Sequence, residues 1–364
     1  MTTSPSQIWR DIGRVLLSLG LGAAGGALFA YLRMPLPWMV GAAFVTTSVA
    51  LTGVKLKMSK RLQFAMIVVL GVMLGSAFSP ETLRDAVRWL GSFAGVVLYV
   101  MVIGGCTLLY LYRKKGYSLP TAFFSSAPGG FSDMVILGAE MGADVRVISL
   151  IHSVRIFFVV LSIPFGFRFF LGYEPTGFGV PGPSLASLTM ADLAILMVCA
   201  VAGYWVAKMM RLPAPIFTGP ILLSAAFHLG GLTDASPPAI LIAVAQVVLG
   251  TSIGCRFTGY KLRDILRTMV TGGLVAMAML VTALVFALVL EKLTGLPFPA
   301  LLLALSPGGM AEMSLISLAM NVDIAFVSSH HLGRIFVVVM VAPLVFHFLS
   351  KLSALAVENP KNGD

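Results

Sequence analysis

The sequence predicts an all-α polytopic membrane protein made of two inverted repeats of about five crossings each. Each repeat is expected to carry a Pro-Gly-Gly-broken helix or a re-entrant segment. Three observations predict this fold class. Of 364 residues, 58% are hydrophobic and 11% charged, with a mean hydropathy of +0.96, whereas soluble domains run near ~25% charged. Two stretches repeat each other 179 residues apart: Ser126-Ala127-Pro128-Gly129-Gly130-Phe131-Ser132-Asp133-Met134 returns as Leu305-Ser306-Pro307-Gly308-Gly309-Met310-Ala311-Glu312-Met313. Finally, the basic residues gather in short loops between apolar runs, and their bias moves by one loop from the first half to the second, as the positive-inside rule requires of an inverted pair.

Apolar segments fall near 15–32, 36–54, 62–79, 89–112, 118–142 and 147–172, then near 192–207, 214–229, 238–256, 267–290, 297–320 and 324–350. Most approach the roughly 20 residues that a spanning helix needs. The two sets match in order. Pro35-x-Pro37-x-x-x-Gly41 answers Pro213-x-Pro215-x-x-x-Gly219, Val69-Leu70-Gly71-x-x-x-Gly75 answers Val248-Leu249-Gly250-x-x-x-Gly254, and Leu83-Arg84-Asp85 answers Leu262-Arg263-Asp264. The Gly-x-x-x-Gly pairs suit close helix packing. These markers divide the chain into a first repeat at 10–172, a Pro/Gly/Ser-rich linker at 173–189, a second repeat at 190–350 and a cytoplasmic tail at 351–364.

Loop charge sets the orientation. Arg10 and Arg14 precede segment one, Lys55, Lys57, Lys60 and Arg61 follow segment two, and Arg113, Lys114 and Lys115 follow segment four. In the second half, Lys208 and Arg211 follow segment one, and Arg256, Lys261, Arg263 and Arg267 follow segment three. The first half therefore starts inside and the second outside, and an odd number of crossings separates them. Six apolar segments per half leave one that is not a full crossing, and the Pro-Gly-Gly segment is the natural exception. Both termini are expected in the cytoplasm, the C-terminal end beside Lys351.

The same duplication supplies a candidate site. Pro128 and Pro307 remove a backbone donor, and the paired glycines Gly129, Gly130, Gly308 and Gly309 relax the φ restriction. A helix should stop at each run and another begin after it. Ser132 and Asp133, like Glu312, suit the first turn of the new helix. Broken helices at membrane depth expose backbone N–H groups, which is where inverted-repeat carriers hold substrate. The acids are read as groups that hold a proton, coordinate a cation or merely complement the helix dipole. On the following segments, Ser149, His152 and Arg155 stand three apart, and Ser328, His331 and Arg334 repeat that face. A lone charge at the bilayer centre costs about 2.5–3.5 kcal/mol, so each arginine needs a partner, and Asp133 and Glu312 are the expected ones. Asp144 and Asp323 read as caps, and His228, His330 and His347 as satisfied helix histidines.

Other chemistry fares badly. Cys106, Cys199 and Cys255 lie in apolar segments at no metal-ligand spacing, and there is no phosphate-binding loop or dinucleotide fingerprint. No metal, no cofactor and no enzymatic activity are expected. The expected partners are the lipid bilayer and a small-molecule or ion substrate, with homo-oligomerisation open and no nucleic acid.

At the doubled Pro-Gly-Gly-x-x-acid followed by His-x-x-Arg, the chain resembles the bacterial AbrB-duplication membrane family, over about residues 12–350. Members carry labels of ammonia monooxygenase or of regulator of gene expression. The name is shared with a small soluble DNA-binding regulator to which this sequence bears no likeness. The resemblance implies a ten-crossing protein of the bacterial inner membrane and no agreed substrate. Three functions follow as expectations: foremost, a secondary transporter of a small solute, an organic anion among the options, coupled to protons or cations; as the alternative, a membrane-bound regulator or sensor of gene expression; last, an oxygenase subunit, for which the sequence lacks copper ligands.

Overall fold

A computed structural model describes residues 5–174, 179–260 and 262–358. Linker residues 175–178, Lys261, the side chains of Arg263 and Arg267, and the tail from 359 lie outside the described residues. The described chain is helical: α1 (Pro5–Tyr31), α2 (Pro37–Leu51), α3 (Lys60–Gly75), α4 (Pro80–Asp85), α5 (Leu90–Leu109), α6 (Leu119–Ser126), α7 (Phe131–Glu140), α8 (Val145–Leu171), α9 (Met190–Met209), α10 (Pro215–Leu229), α11 (Ala239–Cys255), α12 (Leu262–Thr294), α13 (Phe298–Leu305), α14 (Met310–Ala319) and α15 (Ile324–Glu358).

Among the described residues, six helices are long and apolar enough to cross a membrane: Gln7–Tyr31, Ala86–Lys114, Val145–Leu171, Met190–Met209, Thr268–Thr294 and Ile324–Lys351. This is the architecture of a membrane protein. The outer faces of α9 and α12 expose Met197, Val201 and Trp205, and Leu274, Val281 and Leu288, the apolar surface that lipid covers.

The shorter helices differ from the spacing expected of full spans. α2 and α10 have 15 residues each, α3 has 16 and α11 has 17. At 1.5 Å per residue they measure about 22–26 Å, less than a hydrocarbon core of ~30 Å. Protein covers them: α2 packs between α1 and α11, and α10 between α9 and α3. Small residues permit the closeness. A Cβ on Gly71 or Gly75 would meet Pro220 or Ser224 of α10, and one on Gly250 or Gly254 would meet the backbone of Met39 or the side chain of Thr46 of α2. Along both pairs the residue numbers rise together, so α3 runs parallel to α10 and α2 to α11.

α5 and α12 pack in the opposite sense. Gly91 faces Thr294, Gly95 faces Leu290, the Tyr99 and Phe286 rings lie 5.7 Å apart, and the Tyr99 hydroxyl donates to the Met279 carbonyl at 3.1 Å. The two helices, which occupy matching places in the two halves of the sequence, are antiparallel to each other.

The backbone carries the duplication too. Before the matched prolines, Leu36 and Ala214 adopt the left-handed conformation at φ 49° and 47°, and Arg33 and Arg211 do so at 50° and 54°. Non-glycine residues there cost on the order of 1–3 kcal/mol. The same strain at the same places marks a shared turn that directs the chain from α1 into α2 and from α9 into α10. Lys57 bonds Asp11 at one end of the molecule, and Arg168 donates to the Arg33 carbonyl at 2.8 Å at the other. One asymmetry stands out: 72% of the α8 span is buried within the protein but only 28% of its counterpart α15.

Candidate functional site

α6 ends at Ser126 and α7 begins at Phe131, while α13 ends at Leu305 and α14 begins at Met310. The Pro-Gly-Gly runs occupy the two gaps. Each gap leaves carbonyls at the end of one short helix and N–H groups at the start of the next without intrahelical partners.

The His-x-x-Arg pairs serve the carbonyl side, with one geometry used twice. His152 Nε2 donates to the Phe124 carbonyl at 2.8 Å, and His331 Nε2 to the Leu303 carbonyl at 2.9 Å. Arg155 Nη1 donates to the Ala127 carbonyl at 3.2 Å, and Arg334 Nη1 to the Ser306 carbonyl at 2.8 Å. The acceptors are themselves 179 residues apart. Arg334 goes further, reaching the Gly308 carbonyl at 3.1 Å and His331 Nδ1 at 2.8 Å through Nη2. Since a guanidinium only donates and a carbonyl only accepts, His331 has its proton on Nε2.

The expected arginine–carboxylate pairs do not form: among the described residues no ion pair joins Asp133 or Glu312 to an arginine. The negative ends of α6 and α13 are the partners instead. Their orphan carbonyls supply partial negative charge at the right distance, and each hydrogen bond to a charged group is worth about 1.5–3 kcal/mol. The acids lie at the opposite sides of the gaps, three residues into α7 and α14. Asp133 folds back over Gly130 and Glu312 over Gly309, where any Cβ would collide with the carboxylate oxygens. A side chain at either cap would displace the carboxylate from its place over the helix start.

Both gaps open on one cavity of about 350 Å³. Of the predicted residues, Gly129, Gly130, Ser132, Asp133, Arg155, Gly308, Gly309, Glu312 and Arg334 line it. Pro128 and Pro307 sit within the gaps but off the cavity wall. His152 and His331 are buried one turn back on the carbonyls. Ser149 and Ser328 do not line the cavity either; the Ser149 carbonyl accepts from Ser153, and the Ser328 hydroxyl donates to the Ala325 carbonyl. Apolar groups from α3, α8, α10, α11 and α15 complete the wall, among them Ile67, Ile156, Phe217, Leu249 and Ile335.

Sequence reasoning left one residue out of the site. Arg256, counted there as a loop charge, follows directly on α11 and lines this cavity, its Cζ 4.3 Å above the Phe131 ring. It lies within electrostatic reach of Glu312. The matched position in the first half is Ala77, so the duplication gave no signal for it. Asp144 and Asp323 act as caps, accepting from Arg146 and Val147 N–H and from Phe326 N–H. His330 stacks on Phe93 at 4.0 Å and bonds Ser92 and the Phe326 carbonyl, and His228 bonds the Ser224 and Ala235 carbonyls. A larger hollow, about 600 Å³, is bordered by Asp85, Arg88, Tyr173, Asn321 and Asp323, but it takes in neither gap.

Residues 38–350 match the sequence profile of a family described as "Transition state regulatory protein AbrB". The chain belongs to the AbrB family. Two relatives match it over most of its length. A Bacillus subtilis (strain 168) protein named "Uncharacterized protein YhjN" is 26% identical over 359 residues, covering 92% of both chains. An Escherichia coli (strain K12) protein named "Putative regulator AbrB" is 25% identical over 339 residues, covering 92% of this chain and 94% of its own. The AbrB family profile spans both gaps and both His-x-x-Arg helices.

Proposed function

We propose that the protein is a secondary transporter of a small solute, an organic anion by preference, coupled to protons or cations across the bacterial inner membrane. The observation that carries this reading is the single cavity at which both helix gaps, their exposed α7 and α14 N-termini and five ionisable side chains converge. Two half-helix N-termini facing one space favour a negatively charged solute. Asp133 and Glu312 are the coupling groups: a proton on either raises the charge of the cavity and strengthens its pull on an anion, and the anion in turn eases protonation.

Two inverted repeats of five crossings each, with both termini in the cytoplasm, are the frame for this function. The antiparallel packing of α5 on α12, which hold matching places in the duplication, supports the inverted arrangement. So does the parallel pairing of α2 with α11 and of α3 with α10. Alternating access would rock one repeat against the other around the shared cavity. The protein acts without a cofactor, without nucleic acid and without catalysing a reaction; self-association is compatible with its apolar outer faces. Uptake into proteoliposomes tests the reading. Asp133→Asn and Glu312→Gln should each lower solute uptake while leaving the protein folded, and unchanged uptake in both would remove their role.

The family description and the name of the Escherichia coli relative favour a second reading, a membrane-bound regulator of gene expression. A deletion strain whose expression phenotype is restored by a transport-dead Asp133→Asn protein would establish that reading over the first.

A further inference from the structure

Building on the transport reading, we infer that the cavity selects a small monoanion with an apolar tail, and that Arg256, which the duplication lacks in its first half, sets that selectivity.

Three arginines line the cavity, and each keeps a buried N–H with no acceptor: Nε of Arg155, Nη1 of Arg256 and Nε of Arg334. Buried donors of this kind are uncommon, and leaving a charged one unsatisfied is costly. These donors are closed off by protein, but the three guanidinium groups they belong to line one space and suit a ligand that supplies acceptor oxygens. Arg155 holds one gap carbonyl through Nη1, and Arg334 holds two gap carbonyls and His331 Nδ1 through Nη1 and Nη2. Arg256 rests on the Phe131 ring, a support that orients a guanidinium without using its donors.

Charge points to the valence of the ligand. Asp133 and Glu312 oppose Arg155, Arg256 and Arg334 on the wall, so with both carboxylates ionised the five sum to +1. One carboxylate brings the loaded site to neutrality, the state that a membrane interior favours. A dianion would overshoot, and a neutral solute would leave the surplus charge. Size and wall limit the rest. At about 350 Å³ the cavity is at the small end of ligand sites, and its apolar side chains match a hydrocarbon tail rather than a sugar.

Binding to the purified full-length protein, followed by thermal shift and calorimetry, tests this with acetate, butyrate, hexanoate and benzoate. Each is compared with its amide and with a dicarboxylate of matching length. At least one monocarboxylate should bind, with its amide and dicarboxylate much weaker. Arg256→Gln removes the surplus charge: monocarboxylate affinity should fall on the order of tenfold to a hundredfold and the amide should gain. Arg256→Lys keeps the charge and should retain the order of preference, showing that the Gln variant's change is not a folding defect. Asp133→Asn raises the sum to +2 and should move preference toward the dicarboxylate. Binding of no monocarboxylate, equal binding of amide and acid, or an unchanged order in Arg256→Gln would overturn the inference. If these preferences appear but no solute crosses proteoliposomes, the transport reading fails and the anion site stands. If uptake depends on Asp133 and Glu312 but is indifferent to Arg256, the anion assignment fails and the transport reading stands.

Discussion

Arg334 donates to Nδ1 of His331 at 2.8 Å, whereas Nδ1 of His152, beside the duplicate Arg155, has no partner. The second gap is therefore clamped harder than the first, with Arg334 holding the Ser306 and Gly308 carbonyls as well. Arg334→Ala should lower the unfolding midpoint of the detergent-solubilised protein more than Arg155→Ala. Each lost bond to the guanidinium is worth about 1.5–3 kcal/mol. Equal shifts would mean that the additional bonds contribute nothing.

The histidines are placed to satisfy carbonyls rather than to meet solute. His152→Leu and His331→Leu each strand a buried acceptor at the end of α6 or α13 and should cost about 1–3 kcal/mol of stability. His→Gln, which can still donate, should recover part of it. Solute affinity in the Gln variants should stay within a few-fold of wild type by calorimetry.

Gly250 and Gly75 separate packing from propensity. A Cβ at Gly250 would meet the Met39 carbonyl, and one at Gly75 the Ile221 carbonyl, whereas Gly104 and Gly13 have nothing within 4 Å. Gly250→Ala and Gly75→Ala should destabilise by about 1–3 kcal/mol. Gly104→Ala should be neutral or stabilise by about 0.5–1 kcal/mol, because alanine is the better helix former. Thermal inactivation of the three variants side by side checks the contrast.

Cysteine labelling tests orientation. With single cysteines in place of Lys57 and Lys208, an impermeant thiol reagent should reach both from the same side of the membrane, the cytoplasmic one, in a background free of the native cysteines. Labelling from opposite sides would contradict the inverted arrangement.

Much of this was legible in the sequence because duplication repeats chemistry as well as hydropathy. Pro128 and Pro307, with the glycines after them, announced two helix ends, and His-x-x-Arg recurred at one offset. What the arginines bind was not legible. A side chain's charge suggests a carboxylate, but Arg155 and Arg334 chose backbone carbonyls, which every residue has and no sequence marks. Arg256 was hidden for two reasons. It has no mate, and it follows an apolar run as loop cations do. The shortness of α2 and α10 was hidden as well, since burial between protein helices leaves the same apolar composition as burial in lipid.

Ala77, standing where a second Arg256 would be, has a consequence for how the two membrane faces compare. If the halves trade conformations during turnover, the cation that rests on Phe131 in one state has only a methyl group as its successor in the other. Under the transport reading, solute would then be gripped on one face and released readily on the other, with an apparent Kd that differs between the two orientations.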